Sequence, residues 1–279
     1  MLSRAVSRLW DHRALVRIMT LSQLRTEYSR TVLGSVWWLL DPILMTVVYT
    51  VLVGYVLDRG ANYPPFPLFL MCGLVAWKGF AACMTKSVLL MPRSEGLLSS
   101  FRFPRAVIPV TMVLSNQIFF LVALVPLFGL TAYYQFIEGS PNAHLGGALV
   151  FAPIVFAVQV TLALGISVLL SCVGVYFRDL SNVMRHATRV LWYASPGIYA
   201  TSDVIPGYEG LASIDGSKIE HLFVLNPFVH VIDGYRRIFM EGRAPDFAGL
   251  ALAGAFGIAL VLVSLTVFER RESDFLKRI

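Results

Sequence analysis

Long apolar runs separated by short polar connections cover most of the chain. Apolar runs occupy residues 33–57, 68–91, 106–134, 147–177 and 247–268, and a shorter one occupies 184–201. About 20 apolar residues are needed for a helix to cross a bilayer, where every backbone polar group must be bonded internally. The pattern therefore predicts an all-α polytopic membrane protein with six membrane-spanning helices, the fifth of them short.

Composition excludes the soluble classes of protein. Hydrophobic residues make up 57% of the 279 residues and charged residues 14%, with a mean hydropathy of +0.69. A soluble domain carries about 25% charged residues. The uninterrupted apolar runs also exclude a membrane barrel, whose strands alternate apolar and polar positions. No basic patch is interleaved with aromatic residues in a soluble region, so a nucleic-acid partner is not expected.

The distribution of Lys and Arg predicts the orientation in the membrane. Segments 1–32, 86–105, 178–189 and 269–279 together hold 17 of the 23 Lys and Arg residues, and the alternate connections hold five. Basic connections stay in the cytoplasm, which predicts that both termini and the tail 269–279 are cytoplasmic. Anionic membrane lipids are the expected neighbours of these basic segments.

Two segments outside the spans are amphipathic. Residues 1–31 lack the apolar core of a cleavable signal peptide and have the pattern of a basic amphipathic helix lying along the membrane interface. A solvated basic leader is the alternative. Residues 94–103 form a cytoplasmic connection that carries apolar residues, with Ser94 able to cap a short helix and Pro104 closing it. Such a helix suits docking into a partner's groove or, equally, packing against the chain's own helix ends.

The region 204–246 breaks the pattern of simple hairpins on the outer side. Two apolar pieces flank Asn226-Pro227, and both are too short to span. They have the pattern of a re-entrant pair, which is tolerated in a membrane only against protein or a water-filled cavity. A cavity that opens to the outside is therefore expected here.

Two charged residues lie well inside the first two predicted spans, away from Lys86 near the end of the second. Asp41 precedes the helix-kinking Pro42 near the start of the first span, and Lys78 lies near the middle of the second. A charge at that depth is costly unless it pairs or faces water. We expect a structural hydrogen bond for Asp41. For Lys78 the alternatives are a polar translocation path and a side chain that snorkels.

Several aromatic residues are candidates for stacking on sugar rings along that path, although core packing is the commoner role of any one of them. The path candidates, with Lys78, are Trp77, Phe80, Trp192, Tyr193 and Tyr199.

Catalytic motifs are missing from the sequence. There is no Walker loop, no H-E-x-x-H and no G-x-S-x-G, and the five histidines are scattered. The three cysteines lie in apolar runs and are interpreted as core residues. We therefore expect no catalytic residue, no metal and no cofactor in this chain, so any uphill transport draws its energy from another subunit or an ion gradient.

Several motifs, in order along nearly the whole chain, resemble the permease subunits of ABC-2 type polysaccharide exporters (the Wzm, KpsM and TagG/TarG group, which export O-antigen, capsule or teichoic acid). The motifs are Leu33-Gly34-Ser35-Val36-Trp37-Trp38-Leu39-Leu40-Asp41-Pro42, Phe66-Pro67-Leu68-Phe69-Leu70-Met71-Cys72-Gly73-Leu74, Tyr176-Phe177-Arg178-Asp179-Leu180, Leu225-Asn226-Pro227 and Gly234-Tyr235-Arg236. Asp41 before Pro42 and Lys78 after Trp77 depart from the family pattern.

The resemblance implies a homodimer bound to two copies of a separate ABC ATPase, which would hold the ATP and Mg. It implies that 94–103 is the coupling helix and that the re-entrant pair forms outer gate helices. The implied coupling residues are Ser94, Glu95, Leu97, Leu98, Phe101, Arg102, Arg178 and Asp179. The implied outer-gate residues are Asn226, Pro227, Tyr235 and Arg236.

The sequence thus predicts a non-enzymatic permease subunit that exports a lipid-linked polysaccharide across the bacterial cytoplasmic (inner) membrane. One alternative is an ABC-2 exporter of a small lipid or drug. An alternative of a different class is a membrane-embedded glycosyl- or phosphotransferase acting on lipid-linked sugars.

Overall fold

The computed structural model describes residues 2–29, 33–34, 36–58, 60–101, 103–177, 179–200 and 223–278. Within these ranges the regular elements are helical and none is a strand. The α-helices are α1 (Leu2–Asp11), α2 (Arg13–Ser29), α3 (Val36–Tyr49), α4 (Phe66–Val88), α5 (Leu90–Arg93), α6 (Glu95–Ser100), α7 (Val107–Ala132), α8 (Ala152–Tyr176), α9 (Leu180–Ala194), α10 (Pro227–Arg236) and α11 (Phe247–Arg278). Wider π-helical turns extend α3, α7 and α10 to Val56, Ile137 and Glu241.

Five helices of the described chain are long and apolar enough to cross a bilayer. They cover Val36–Val56, Phe66–Val88, Val107–Ile137, Gly147–Tyr176 and Phe247–Arg271. The all-α, polytopic membrane class is therefore confirmed, and the chain is a multi-pass membrane protein.

The fifth predicted span is shorter than a bilayer crossing. Helix α9 has 15 residues, and at 1.5 Å per residue it is about 22 Å long, against about 30 Å of hydrocarbon. It ends at Ala194 because Pro196 disfavours helical backbone at the residue before it. The six-span count stays a prediction, as does the re-entrant pair, since residues 201–222 lie outside the described ranges.

Helix α4 lies at the centre of the bundle and contacts α3, α7, α8, α9 and α10. Most of its residues are buried. Gly79 permits a close approach of α8, because a Cβ atom there would lie 2.6 Å from the Gln159 Nε2 atom. That amide in turn donates to the Gln117 Oε1 atom of α7 at 3.0 Å, so a polar contact joins two helices inside the apolar core.

The predicted interface helix is two helices that meet at His12. Helix α1 contacts α11, and α2 contacts α7. The Ser115 hydroxyl donates to the Gln23 Oε1 atom at 2.9 Å, so a polar bond fixes α2 to a membrane span. Trp10 and Ile18 remain exposed. The location of this leader at the membrane interface stays a prediction.

The final helix continues past the predicted end of the last span. Helix α11 runs for 32 residues, from Phe247 to Arg278, without the break expected at residue 268. Polar residues follow the apolar stretch without any Pro or Gly that would end the helix, and the residues 269–278 therefore stay helical.

The two ends of the bundle are built differently. Helix α6 contacts α11 and α5 at one end, which we call the coupling end. Helix α10, the start of α4 and the start of α11 meet at the opposite end, which we call the gate end. The candidate functional residues fall at these two ends and between them.

Candidate translocation and coupling site

The coupling segment has a buried anchor and an exposed surface. Leu98 of α6 is 5% exposed and packs in a cluster with Met91, Ile108 and Phe268 at the coupling end. Phe101 is 65% exposed, and Leu97 also reaches the surface. The short helix therefore packs against the chain's own helices through Leu98 and leaves Leu97 and the following Phe101 exposed, while docking of a partner at this surface stays a prediction.

The short coupling helix differs in detail from its prediction. It covers Glu95–Ser100 rather than 94–103. Ser94 stands at the N-cap position, but its hydroxyl donates at 2.8 Å to the Leu90 carbonyl of the preceding turn and does not cap α6. The capping role predicted for Ser94 is therefore wrong, because a carbonyl one turn back competes for the same hydroxyl.

The remaining predicted coupling residues are only partly described. Glu95 is exposed at the start of α6, and Asp179 is exposed immediately before α9. Arg102 and Arg178 lie outside the described residues. The coupling role of the whole set stays a prediction.

Asp41 and Lys78 meet between the first two long helices. The Lys78 ammonium donates to the Asp41 Oδ2 atom and forms an ion pair from the middle of α4 to the first half of α3. The Lys78 side chain is 32% exposed and the Asp41 side chain 54% exposed. Hydrocarbon lipid does not tolerate a charged pair at this depth, so the exposed face of the pair requires water, headgroups or protein against it.

The predicted path aromatics separate into buried and exposed groups. Trp77, Phe80 and Trp192 are 7%, 0% and 6% exposed. Phe228 of α10 joins them, with ring centroids 5.7 Å from Trp77 and 4.7 Å from Phe80. These rings form one interior cluster between α4, α9 and α10, and none of the three predicted rings offers a free face to a sugar in this conformation.

Two of the candidates lie nearer the surface. Tyr193 is 52% exposed on α9. The hydroxyl of Tyr199, which lies in the turn beyond α9, donates to the Tyr193 carbonyl at 2.6 Å. Stacking of a glycan on these two rings stays a prediction.

Asn226 and Pro227 build the start of the gate helix α10. The Asn226 Oδ1 atom accepts a hydrogen bond from the Phe228 backbone N–H at 3.1 Å, which is an N-cap contact, and Pro227 follows at the first helical position. The Asn226 Nδ2 atom also donates to the Ala194 carbonyl at 3.3 Å and to the Ser195 hydroxyl at 3.2 Å. The start of α10 is thus tied to the end of α9.

Arg236 lies at the other end of the gate helix, and its side chain is buried. Its Nη2 atom donates to the Gly197 carbonyl at 2.8 Å, and its Nη1 atom donates to the Tyr199 carbonyl at 3.3 Å. The guanidinium carbon lies 3.6 Å from the centre of the Phe69 ring of α4. Arginine stacks on aromatic faces in this way because the ring quadrupole attracts the cation.

Tyr235, the neighbour of Arg236, faces the interior. It is 1% exposed, and its ring centroid lies 5.7 Å from that of Phe120 on α7. Its hydroxyl is buried and has no hydrogen-bond partner within the described part of the chain. In this conformation Tyr235 packs the gate helix against the bundle.

A cavity of about 430 Å³ opens between α3, α4 and α7. Its walls are mostly apolar, which suits hydrocarbon better than sugar hydroxyls. None of the predicted path residues lines this cavity. The lining residues are Ile43, Thr46, Val47, Thr50, Val51, Pro67, Met71, Pro126, Gly129, Leu130 and Tyr133.

Sequence reasoning missed three residues that contact the predicted gate residues or the aromatic cluster, and the gate role itself stays a prediction. Phe69 supplies the ring under Arg236, Gly197 supplies a carbonyl to it, and Phe228 packs against the Trp77 and Phe80 rings. Phe69 lies in the motif 66–74, but the contact between Gly197 and Arg236, 39 residues apart, has no local signal in the sequence. Phe228 follows Pro227 in the sequence, but its burial depends on how α10 is oriented in the bundle, which the sequence does not show.

Among the described residues, no group of three His, Cys, Asp or Glu side chains is placed to hold a metal ion. The expected lack of a metal and of a cofactor in the chain stays a prediction.

The chain is similar over almost its whole length to curated permeases of polysaccharide export. It is 29% identical over 277 residues to the O-antigen export system permease protein RfbA of Myxococcus xanthus, covering 99% of both chains. It is 26% identical to the O-antigen export system permease protein RfbA of Klebsiella pneumoniae, covering 94% of this chain and 93% of that protein. No protein-family model matches the chain.

A polysialic acid transport protein shows the same relationship at lower identity. The Polysialic acid transport protein KpsM of Escherichia coli is 23% identical over 262 residues, with 94% of this chain and 95% of that protein covered. The resemblance to ABC-2 type polysaccharide exporter permeases that the motifs indicate is confirmed by these relatives.

Proposed function

We propose that this chain is the membrane-spanning permease subunit of an ATP-driven ABC exporter that moves a polysaccharide of the O-antigen or capsule type across the bacterial inner membrane. The observation that carries the proposal is the end-to-end similarity to O-antigen export permeases. The five long apolar helices and the absence of a nucleotide-binding motif from the sequence support it.

The motor of this exporter is a separate polypeptide. A chain without a Walker loop has no phosphate-binding loop of that kind, so ATP and Mg belong to a partner ATPase. Two copies of that ATPase bind a homodimer of permeases, with both termini and α6 on the cytoplasmic side. The surface formed by Leu97 and Phe101 supports docking of the ATPase at α6, because exposed apolar side chains on a short helix suit a groove on a partner.

Transport couples α6 to the gate end through the packed bundle. Leu98 anchors α6 in the cluster at the coupling end, so a push on the exposed surface is transmitted to α11 and to the start of α7. Closure of the ATPases on ATP supplies that push. The movement separates the gate elements and opens a path for a lipid-linked glycan at the interface between two permease copies.

The ion pair between Asp41 and Lys78 is the observation that favours a polar surface beside that interface. Asp41 and Lys78 keep half-exposed faces within the spans, and a water-filled path or a second copy of the chain satisfies them where lipid does not. Lys78, Tyr193 and Tyr199 are therefore the path residues that this conformation leaves accessible to a sugar chain.

The experiment that tests this function follows the polymer in the cell. Deletion of the gene should remove the polysaccharide from the cell surface while lipid-linked polymer accumulates on the cytoplasmic side of the inner membrane. A transferase would instead leave no completed polymer, and an exporter of a small lipid or drug would leave the surface polysaccharide unchanged. Either of the last two results contradicts the proposal.

A further inference from the structure

The segment 195–200, which follows α9, is held by hydrogen bonds from three residues, two at the ends of α10 and one before α4. Asn226 at the start of α10 binds the Ser195 hydroxyl, and Arg236 at the end of α10 binds the Gly197 and Tyr199 carbonyls. The Ala200 backbone N–H donates at 3.2 Å to the Tyr63 hydroxyl, which precedes α4. The segment therefore lies fixed between the gate helix and the second span.

The Arg236 guanidinium is the charged centre of this arrangement. Arg236 is 7% exposed, and within the described residues no carboxylate pairs with it; the nearby Asp233 pairs with Arg237 instead, at 2.8 Å. Its Nε atom is buried without a hydrogen-bond partner among those residues. The cation is thus held by two backbone carbonyls and one aromatic face, all of which are neutral.

The packing around these carbonyls leaves no room for adjustment. A Cβ atom on Gly73 of α4 would lie 2.6 Å from the Gly197 carbonyl oxygen and 3.2 Å from the Arg236 Nη2 atom. A Cβ atom on Gly197 would overlap the Trp192 ring. The segment therefore packs directly against α4, with a glycine on each side of the contact.

We propose that Arg236 is the positioning residue that keeps the gate end closed, by clamping the 195–200 segment through the Gly197 and Tyr199 carbonyls onto the Phe69 face of α4. Opening requires the guanidinium to release these carbonyls, to which it is held by two hydrogen bonds. The gating role of Arg236 rests on the proposed export function. The contacts that hold the segment 195–200 do not depend on which substrate is exported.

Cys72 provides a natural reporter for the clamp, because it is buried and adjacent to Gly73 on α4. Cys172 is buried at the coupling end and serves as a reporter for general loosening. Two backgrounds keep one thiol each, Cys83→Ala with Cys172→Ala for the first reporter and Cys72→Ala with Cys83→Ala for the second. Each permease is purified with its ATPase and treated with a membrane-impermeant maleimide, without ATP and without glycan.

In Arg236→Gln, the labelling rate of Cys72 should rise by at least about tenfold, the ratio expected when a charge-assisted hydrogen bond is lost, and Cys172 should stay unreactive. Arg237→Gln is the matched control, since it changes the next residue, which is more exposed and paired with Asp233, and it should leave both rates unchanged. In a parallel treatment with ATP, the Cys72 labelling rate should rise in the wild type and should change little in Arg236→Gln. A general loss of stability in the variant would not remove the effect of ATP in this way.

Unchanged Cys72 labelling in an assembled Arg236→Gln complex overturns the clamp, and so does a parallel rise at Cys172. If Arg236→Gln does not assemble, Arg236→Lys and Phe69→Leu decide, because each weakens the clamp while keeping the size of the buried side chain similar. Both should raise Cys72 labelling selectively, and a failure of both contradicts the inference. If the variants label as expected but the wild-type complex moves no glycan, the result counts against the proposed function and not against the clamp.

Discussion

Lys78 of α4 and Asp41 of α3 form an ion pair between the first two membrane-spanning helices, although 37 residues separate them in the sequence. The two residues are the only Asp, Glu, Lys or Arg residues that the sequence places inside the first two spans before Lys86. Each provides the opposite charge that the other requires in a membrane, and the pair therefore fixes how α3 lies against α4.

The pair should behave as a coupled unit in mutagenesis. Asp41→Asn and Lys78→Met should each lower the thermal stability of the permease in detergent, because each leaves one charge without its partner. The double variant should recover part of the loss, with a coupling energy of about 0.5–3 kcal/mol in a double-mutant cycle. Additive effects of the two single changes would contradict the coupling.

Substitutions at Phe101 and Leu98, in and next to α6, should affect ATPase docking and permease stability separately. Phe101→Ala should weaken co-purification of the ATPase while leaving the melting temperature of the permease unchanged, because the side chain is exposed. Leu98→Ala should instead destabilise the permease by about 2–5 kcal/mol, since it empties a position in the cluster at the coupling end.

Pull-down of the ATPase and thermal unfolding, measured on the same preparations, distinguish the two effects. Ser99→Ala is the control, as an exposed position on the same helix whose hydroxyl only bonds the preceding turn. An ATPase that binds Phe101→Ala as tightly as wild type would remove α6 from the docking surface.

A side chain at residue 73 should destabilise the contact between α4 and the segment 195–200. Gly73→Ala places a methyl group against the Gly197 carbonyl and should destabilise the permease by about 1–3 kcal/mol through overpacking. Gly129→Ala in α7 is a matched change in a span with no atom within 4 Å of the added carbon, and it should be neutral. Melting temperatures measured in one detergent test the contrast, and equal behaviour of both variants would show that the close approach is absent.

The hydrogen bond between the buried amides of Gln159 and Gln117 should contribute to the stability of the permease. Gln159→Leu leaves the Gln117 Oε1 atom without the donor that lies 3.0 Å away, and it should destabilise the permease by about 1–3 kcal/mol. Replacing both glutamines by leucine should recover most of this loss, because no polar group then remains unpaired. A double variant that is less stable than Gln159→Leu alone would argue against this explanation.

The membrane-spanning helices were predictable because their signal is local. A membrane span is indicated by the hydropathy of its own residues alone. The helices Val36–Val56 and Phe247–Arg271 overlap the apolar runs that predicted them. The short α9 was harder to predict, since Arg185 and Arg189 interrupt its apolar residues and Pro196 follows shortly after its end.

The candidate site was less predictable because it depends on contacts between distant parts of the chain. Hydropathy treats Trp77 and Tyr193 alike, yet one ring is buried against α10 and the other is exposed. Arg236 was selected as a gate residue by resemblance, but its two carbonyl partners and its stacking on Phe69 follow from how α9, α10 and α4 pack. No pattern local to Arg236 contains that information.

The central claim is that this chain conducts a polysaccharide while another polypeptide supplies the energy. The most direct test reconstitutes the purified permease into liposomes, alone and with its ATPase, and measures ATP hydrolysis together with the movement of a lipid-linked glycan. The account predicts neither activity for the permease alone and ATP-dependent glycan movement with the ATPase present. Nucleotide hydrolysis or covalent change of the glycan by the permease alone would contradict it.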